Sequence, residues 1–219
     1  MTTLDEESKP LLRAIVERTA RRQLASINIL GHCLKFVGEL DVKDVVASEL
    51  DLSLRLFRQV HSLYQELGWT DLEDAVRDRL EEFPFPESRL EFGLAYYVTG
   101  LAEQVAMSAF VDSTCKEFAA IARSHVDAAT RRPEPSRFIA YCEDPGNRPH
   151  GQQFLDRWSE IGLRFFGTPD GTSDARIVEM GLRSKSTAEM TADFQSRLEP
   201  LIKATGLTLP QLVESAANV

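Results

Sequence analysis

Apolar residues recur every three to four positions along most of the chain, the period of helices with one side turned inward. Leu12, Ile15, Thr19, Ile27, Leu30 and Leu34 share one side of a first helix that the pattern places from Pro10 to Val37. Ser8 and Pro10 mark its start and Gly38 its end. A second helix opens at Val42 with the most regular stripe in the chain: Val42, Val45, Glu49, Leu52, Leu56, Val60, Leu63 and Leu67, with Gly68 as C-cap. Glu49 interrupts that stripe, so its carboxylate is expected to point inward.

The stretch from Leu90 to Phe110 is the one around which the rest is organised. Between Phe92 and Val111 its only formal charge is Glu103. Phe92, Tyr96, Thr99, Glu103, Ala106 and Phe110 share one helical face, and Leu94, Val98, Leu101 and Val105 make a second apolar face. A helix apolar nearly all round belongs inside a bundle. Its length would just reach across a bilayer, but Glu103, Gln104 and the charged flanks favour a central core helix. A carboxylate on such a face needs a partner.

Four Ser/Thr-x-x-Glu boxes divide the remainder: Thr70–Glu73, Ser88–Glu91, Thr114–Glu117 and Ser186–Glu189. They launch a short charged helix to about Glu82, the central helix to about Asp112, a helix through Ile121 and His125, and a helix to about Thr205. Phe83-Pro84-Phe85-Pro86 forces an extended connector, and Arg131 to Pro135 stops the third of these helices. A brief segment at Phe138–Cys142 and a loop at Glu143–Pro149 precede an amphipathic helix from Gln152 to Phe166. Gly167 to Asp174 is turn-rich, and Gly206 to Pro210 with a short final helix closes the chain. No segment alternates as a strand, so the expectation is one all-α domain over 1–219. Its core bundle spans about 10–131 and a helical extension about 150–219.

Composition narrows the function classes. Hydrophobic residues at 43% and charged ones at 27% are ordinary for a soluble globular chain. A net charge of −9 counts against nucleic-acid or anionic-membrane binding. Cys33, Cys115 and Cys142 are widely spaced without a Cys-x-x-Cys, which suits reduced thiols and carries no zinc signature. The acidic start shows no secretory signal, so a cytoplasmic location is expected. No Gly-x-Ser-x-Gly elbow or phosphate-cradling glycine loop is present.

Ile29-Leu30-Gly31-His32 and Leu63-Tyr64-Gln65-Glu66-Leu67, Phe154-Leu155-Asp156-Arg157-Trp158 through Phe166-Gly167-Thr168-Pro169-Asp170, and a tail with Ser186, Glu189, Phe194, Pro200 and Gly206-Leu207-Thr208-Leu209-Pro210 occur in that order. Their order and approximate spacing resemble the ferritin-like large subunits of the bacterial phenylacetyl-CoA epoxidase, the phenylacetic acid catabolic family. The first two segments are similar to the structural subunit and the others to the catalytic one, over about two thirds of the chain. The resemblance implies a ferritin-like bundle, a link to aryl-acetyl-CoA chemistry, and assembly as a homodimer or with other helical subunits.

Oxygenating members of that family hold two irons with carboxylates and Glu-x-x-His pairs, neighbours on a helix face. No Glu-x-x-His or Asp-x-x-His occurs here, and none of His32, His61, His125 or His150 has an acidic residue three or four positions away. Matched helix to helix, the second-helix pair falls on Glu49 and Leu52 and the fourth on Ala122 and His125. The third-helix ligand falls near Tyr96 or Thr99, with Glu103 one to two turns on, and Gln23 to Asn28 offers no carboxylate. Iron needs several converging donors. Glu49, Tyr96, Thr99, Glu103 and His125 therefore read as a vestigial site, with no metal and no cofactor expected. The blander roles are a hydrogen-bonded core histidine, glutamates paired with buried Arg, Tyr or Ser, and aromatics that simply pack. Two functional readings follow. One is a structural or interaction component, or one that binds an aryl- or acyl-CoA thioester. The alternative is a metal-dependent oxygenase with a rearranged site on Glu49, Glu103 and His125.

Overall fold

The structure is a computed structural model that describes residues 6–77, 83–128, 134–167 and 172–209. Helix α1 (Ser8–Cys33) and helix α2 (Leu40–Glu66) are joined by a 3₁₀ turn at Leu34–Phe36 and form the first pair. Tyr64, near the end of α2, donates its hydroxyl to Glu17 near the start of α1 (2.8 Å) and to Asp71 (3.0 Å), so the two helices run antiparallel. Then come α3 (Leu72–Arg77), α4 (Arg89–Ser108), α5 (Lys116–Ala128), α6 (Ser136–Glu143), α7 (Arg148–Arg164), α8 (Thr172–Glu179) and α9 (Thr187–Thr205). Every regular element among the described residues is helical, and the fold is an all-α helical bundle.

Helix α4 sits at its centre for the reason its composition suggests. It packs on α5 on one side and on α6, α7 and α9 on the other, while α2 closes against α5 and α1 against α2. Leu94, Val98, Ala102 and Val105 are at or near zero exposure, and so are Ala95, Ala106 and Met107 on other faces. Small residues let the backbones approach. A β-carbon at Gly162 would lie 3.2 Å from the β-carbon of Ala102 and 3.0 Å from the Phe194 ring, where α7 crosses α4 and α9.

The open end of α7 is closed by arginines from elsewhere in the chain. The last carbonyls of a helix lack intrahelical partners and carry partial negative charge. Arg22 of α1 donates to the Phe165 carbonyl (2.8 Å), and Arg183 (3.4 Å), Arg18 (3.5 Å) and the Thr187 hydroxyl (3.4 Å) reach that of Phe166. Arg183 also pairs with Asp174, whose carboxylate further accepts from the backbone and hydroxyl of Thr187. Burial alone would raise the Asp174 pKa, but these donors hold it below the usual range.

The helical period places most elements, and packing shifts their details. The predicted end of the first helix at Val37 tightens into the 3₁₀ turn after Cys33. On α2 Glu49, Leu56, Val60 and Leu63 of the expected stripe are buried, but Val46 and Ser53 are buried in place of Val45, which is 46% exposed, and Leu52. The Ser186 box forms in full, with Gly206 in the left-handed conformation closing α9. At the Thr70 box the capping role moves to Asp71, whose carbonyl accepts from Ala75. The Thr114 box is replaced by tertiary pairing: Thr114 donates its amide and hydroxyl to the carbonyls of Gly181 and Met180, and α5 begins at Lys116. Helix α7 starts at Arg148, four residues before Gln152, because Pro149 suits a first turn where its missing N–H costs nothing. The brief segment at Phe138 is helix α6, and α8 begins at the end of the turn-rich stretch and runs on to Glu179. The expected final helix, the far end of the charged helix near Glu82 and the stop after Arg131 lie outside the described residues.

Gly151 offers a direct check on the α6–α7 seam. A β-carbon there would fall 2.8 Å from the Cys142 sulfur. Gly151→Ala is expected to lower stability by about 1–3 kcal/mol in urea denaturation, as overpacking does. Adding Cys142→Ala should return part of that loss, whereas an additive pair would mean that the two positions do not touch.

Candidate functional site

The bundle interior holds an unusual number of polar side chains. Gln23 (0% exposed) and Arg22 (2%) come from α1, Glu49 (7%) from α2, Glu103 (3%) from α4 and His125 (7%) from α5. Glu103 and His125 have no short-range sequence relation, and the α4–α5 packing alone brings them together. Gln23 Nε2 donates to Glu103 Oε1, and His125 Nε2 stands 3.8 Å from the same oxygen. Arg22 donates to the Phe165 carbonyl, to Thr19 Oγ1 (3.1 Å) and to the Met107 sulfur (3.6 Å). Burial lowers the Arg22 pKa to about 10, with Glu103 opposing that shift. The carboxylate thus serves as hydrogen-bond acceptor and as countercharge in the buried interior.

Of the sequence candidates, then, Glu103 and His125 meet, and Gln23 joins them from the helix where no carboxylate was available. Glu49 is buried on α2 but does not complete a ligand group with that pair: among the described residues no three His, Cys, Asp or Glu side chains converge closely enough to hold a metal. Thr99 donates its hydroxyl to the Ala95 carbonyl of its own helix (2.7 Å). Tyr96 and Thr99 line a cavity of about 20 Å³ with Ala25, Ser26 and Phe165. That is room for roughly one water. A two-iron centre needs carboxylate and imidazole donors from four helices. Here an amide N–H, the positive end of its dipole, occupies the carboxylate oxygen that a cation would need. The residues present do not fit that group.

A second feature opens where the first turns of α2, α4 and α6 meet. A cleft of about 170 Å³ lies between Val42 and Val46 of α2, Phe92 and Tyr96 of α4 and Phe138 of α6, with Arg89 and Arg137 also on its lining. Glu39, just before α2, ties the two arginines together: Arg89 donates to one carboxylate oxygen and Arg137 Nη2 to the other (3.2 Å). Its pKa falls to about 2, first through the Arg89 hydrogen bond. The side chain is nevertheless 44% exposed.

Three residues escaped sequence reasoning, one of them Arg22, whose pair with Arg21 reads as a solvated face although Arg22 is buried. Gln23 carries no charge to draw notice, although it follows Thr19 by one helical turn and both are buried. Glu91 reads as a capping residue, and Ser88 Oγ does accept from the Glu91 amide (3.1 Å). Its carboxylate, however, is 1% exposed and accepts from Trp158 Nε1 (3.0 Å), Arg157 Nη1 (3.1 Å) and the Glu87 amide (2.8 Å). It therefore bolts α4 to α7. No helix among the described residues is long and apolar enough to cross a membrane. No protein-family model and no curated protein matches the chain.

Proposed function

We propose that this chain is a ferritin-like relative of the phenylacetyl-CoA epoxidase large subunits that has exchanged its metal site for a hydrogen-bonded polar core. In this reading it works in the cytoplasm as a structural or interaction component of aromatic catabolism. The observation that carries it is the pairing of Glu103 with Gln23 and His125, on three of the helices to which the resemblance assigns iron ligands. Such a core keeps the helices in register without a cation. The three cysteines are unpaired and buried, which supports a reducing compartment. Exposed Leu40, Val45 and Phe85 supply apolar surface for association with a second copy or another helical subunit. The apolar cleft beside α2, α4 and α6 favours a further reading, in which the component also binds an acyl thioester.

The test is metal content and melting temperature, measured as purified and after incubation with ferrous iron. A metal-free chain whose melting temperature is unchanged is the expected result. Iron held at a hundred times its dissociation constant would stabilise the native state by about 2.7 kcal/mol. Stoichiometric iron that disappears in Glu49→Ala or His125→Ala would sink the reading and favour the rearranged metal-dependent oxygenase instead.

A further inference from the structure

The cleft at the start of α2, α4 and α6 combines apolar walls with two guanidinium groups that already share one carboxylate. Val42, Val46, Phe92 and Phe138 form apolar walls, and Glu134 is the acidic residue on the same lining. Arg89 and Arg137 come from different helices, yet both donate to Glu39, so their geometry is set for a carboxylate bridging the two. Glu39 itself comes from the segment before α2, is 44% exposed, and is not part of the cleft lining. Exposed ion pairs are weak because water competes for both partners. A carboxylate that also brought an apolar tail into the cleft would add burial that Glu39 cannot offer.

We infer that the cleft binds a small apolar carboxylic acid, its carboxylate replacing Glu39 between Arg89 and Arg137 and its tail lying among Val42, Val46, Phe92 and Phe138. A cavity of about 170 Å³ suits a short acid rather than a cofactor-sized molecule. The charge distinguishes the free acid from its thioester, whose neutral acyl carbonyl offers the paired arginines a single, weaker acceptor. The inference narrows the acyl-binding reading to the free acid, but it stands on the cleft and not on the polar core. Failure of the iron experiment therefore leaves it in place, and its own failure leaves the metal-free reading in place.

Calorimetric titration of the full chain with octanoate at neutral pH tests it. Saturable one-to-one binding is expected, strengthening roughly fourfold for each methylene from pentanoate to octanoate as the tail fills the apolar walls. Octanol, with the same tail and no charge, should bind at least about tenfold more weakly, the loss of a charge-assisted hydrogen bond. Arg89→Met should weaken octanoate about tenfold and the more exposed Arg137→Met about two- to fivefold, while both leave the melting temperature close to that of the parent. Glu39→Gln should tighten it roughly two- to fivefold, because the internal competitor is weakened. Silence from both the parent and Glu39→Gln would overturn the inference. So would octanol equal to octanoate, octanoyl-CoA bound more tightly than octanoate and insensitive to Arg137→Met, or weaker octanoate binding in Glu39→Gln.

Discussion

Glu103→Ala is expected to lower the melting temperature by about 10 °C, among the largest effects any single substitution in this chain should produce. Removing one member of a buried, paired set costs about 3–5 kcal/mol, because the partner is left desolvated and unpaired. Each kcal/mol moves the midpoint of a chain this size by about 2–4 °C. Two groups lose in this case: Gln23 loses the acceptor for its amide, and the buried Arg22 guanidinium loses the nearby negative charge. Glu103→Gln keeps the shape and an acceptor oxygen but removes the charge, so its loss should be smaller, about 1–3 kcal/mol. The combination Glu103→Leu with Gln23→Leu removes donor and acceptor together and should cost clearly less than the sum of its parts. Chemical denaturation of Glu103→Ala, Glu103→Gln, the two single leucine variants and their combination measures this, and strict additivity would show that the two side chains do not depend on each other.

Glu91→Ala should come next, at about 2–4 kcal/mol, from stranding a buried donor and opening a small void. Trp158 is fully buried and its indole N–H donates to Glu91. With the carboxylate gone, that donor has no water to turn to. Arg157 donates to the same oxygen but is 39% exposed, so Arg157→Met should cost under about 1 kcal/mol. The contrast separates a tertiary bolt from a surface ion pair. Near-ultraviolet circular dichroism follows the indole directly: Glu91→Ala should weaken the tryptophan bands in the folded state, and Arg157→Met should not. Equal stability losses in the two variants would mean that the indole hydrogen bond contributes nothing measurable.

Several features of this molecule are legible residue by residue. Helix α4 is apolar on two faces, and a helix with no polar side can only be central, as it is. Ser186, Glu189 and Gly206 mark the ends of α9 because caps are local: side chain and backbone partner lie within one turn of each other. Glu103 and Glu49 are correctly expected to face inward, since each interrupts an otherwise apolar stripe. The same local logic is incomplete at Glu91, where Ser88 does cap the helix, and misleads at Thr114. A capping box and a tertiary hydrogen bond use the same side chains, and the distant partner, Trp158 in one case and Gly181 in the other, is invisible to spacing. Helices α6 and α8 are each eight residues long, too short to be stable from propensity, so they exist through docking.

What the sequence by itself determined is therefore the class of the fold: helices, their approximate ends, the central one, and the fact that carboxylates lie inside. Periodicity and capping act over three or four residues, and that range is written in neighbouring letters. Which carboxylate meets which partner was decided only when α1, α4 and α5 closed on one another. That closure set Gln23 and His125 against Glu103 while leaving Glu49 outside any metal-holding group. It also brought Arg89 and Arg137 to one edge of an apolar cleft. Polar groups sealed from water must find partners across whatever gap the packing leaves, and only the assembled interior determines where those gaps fall.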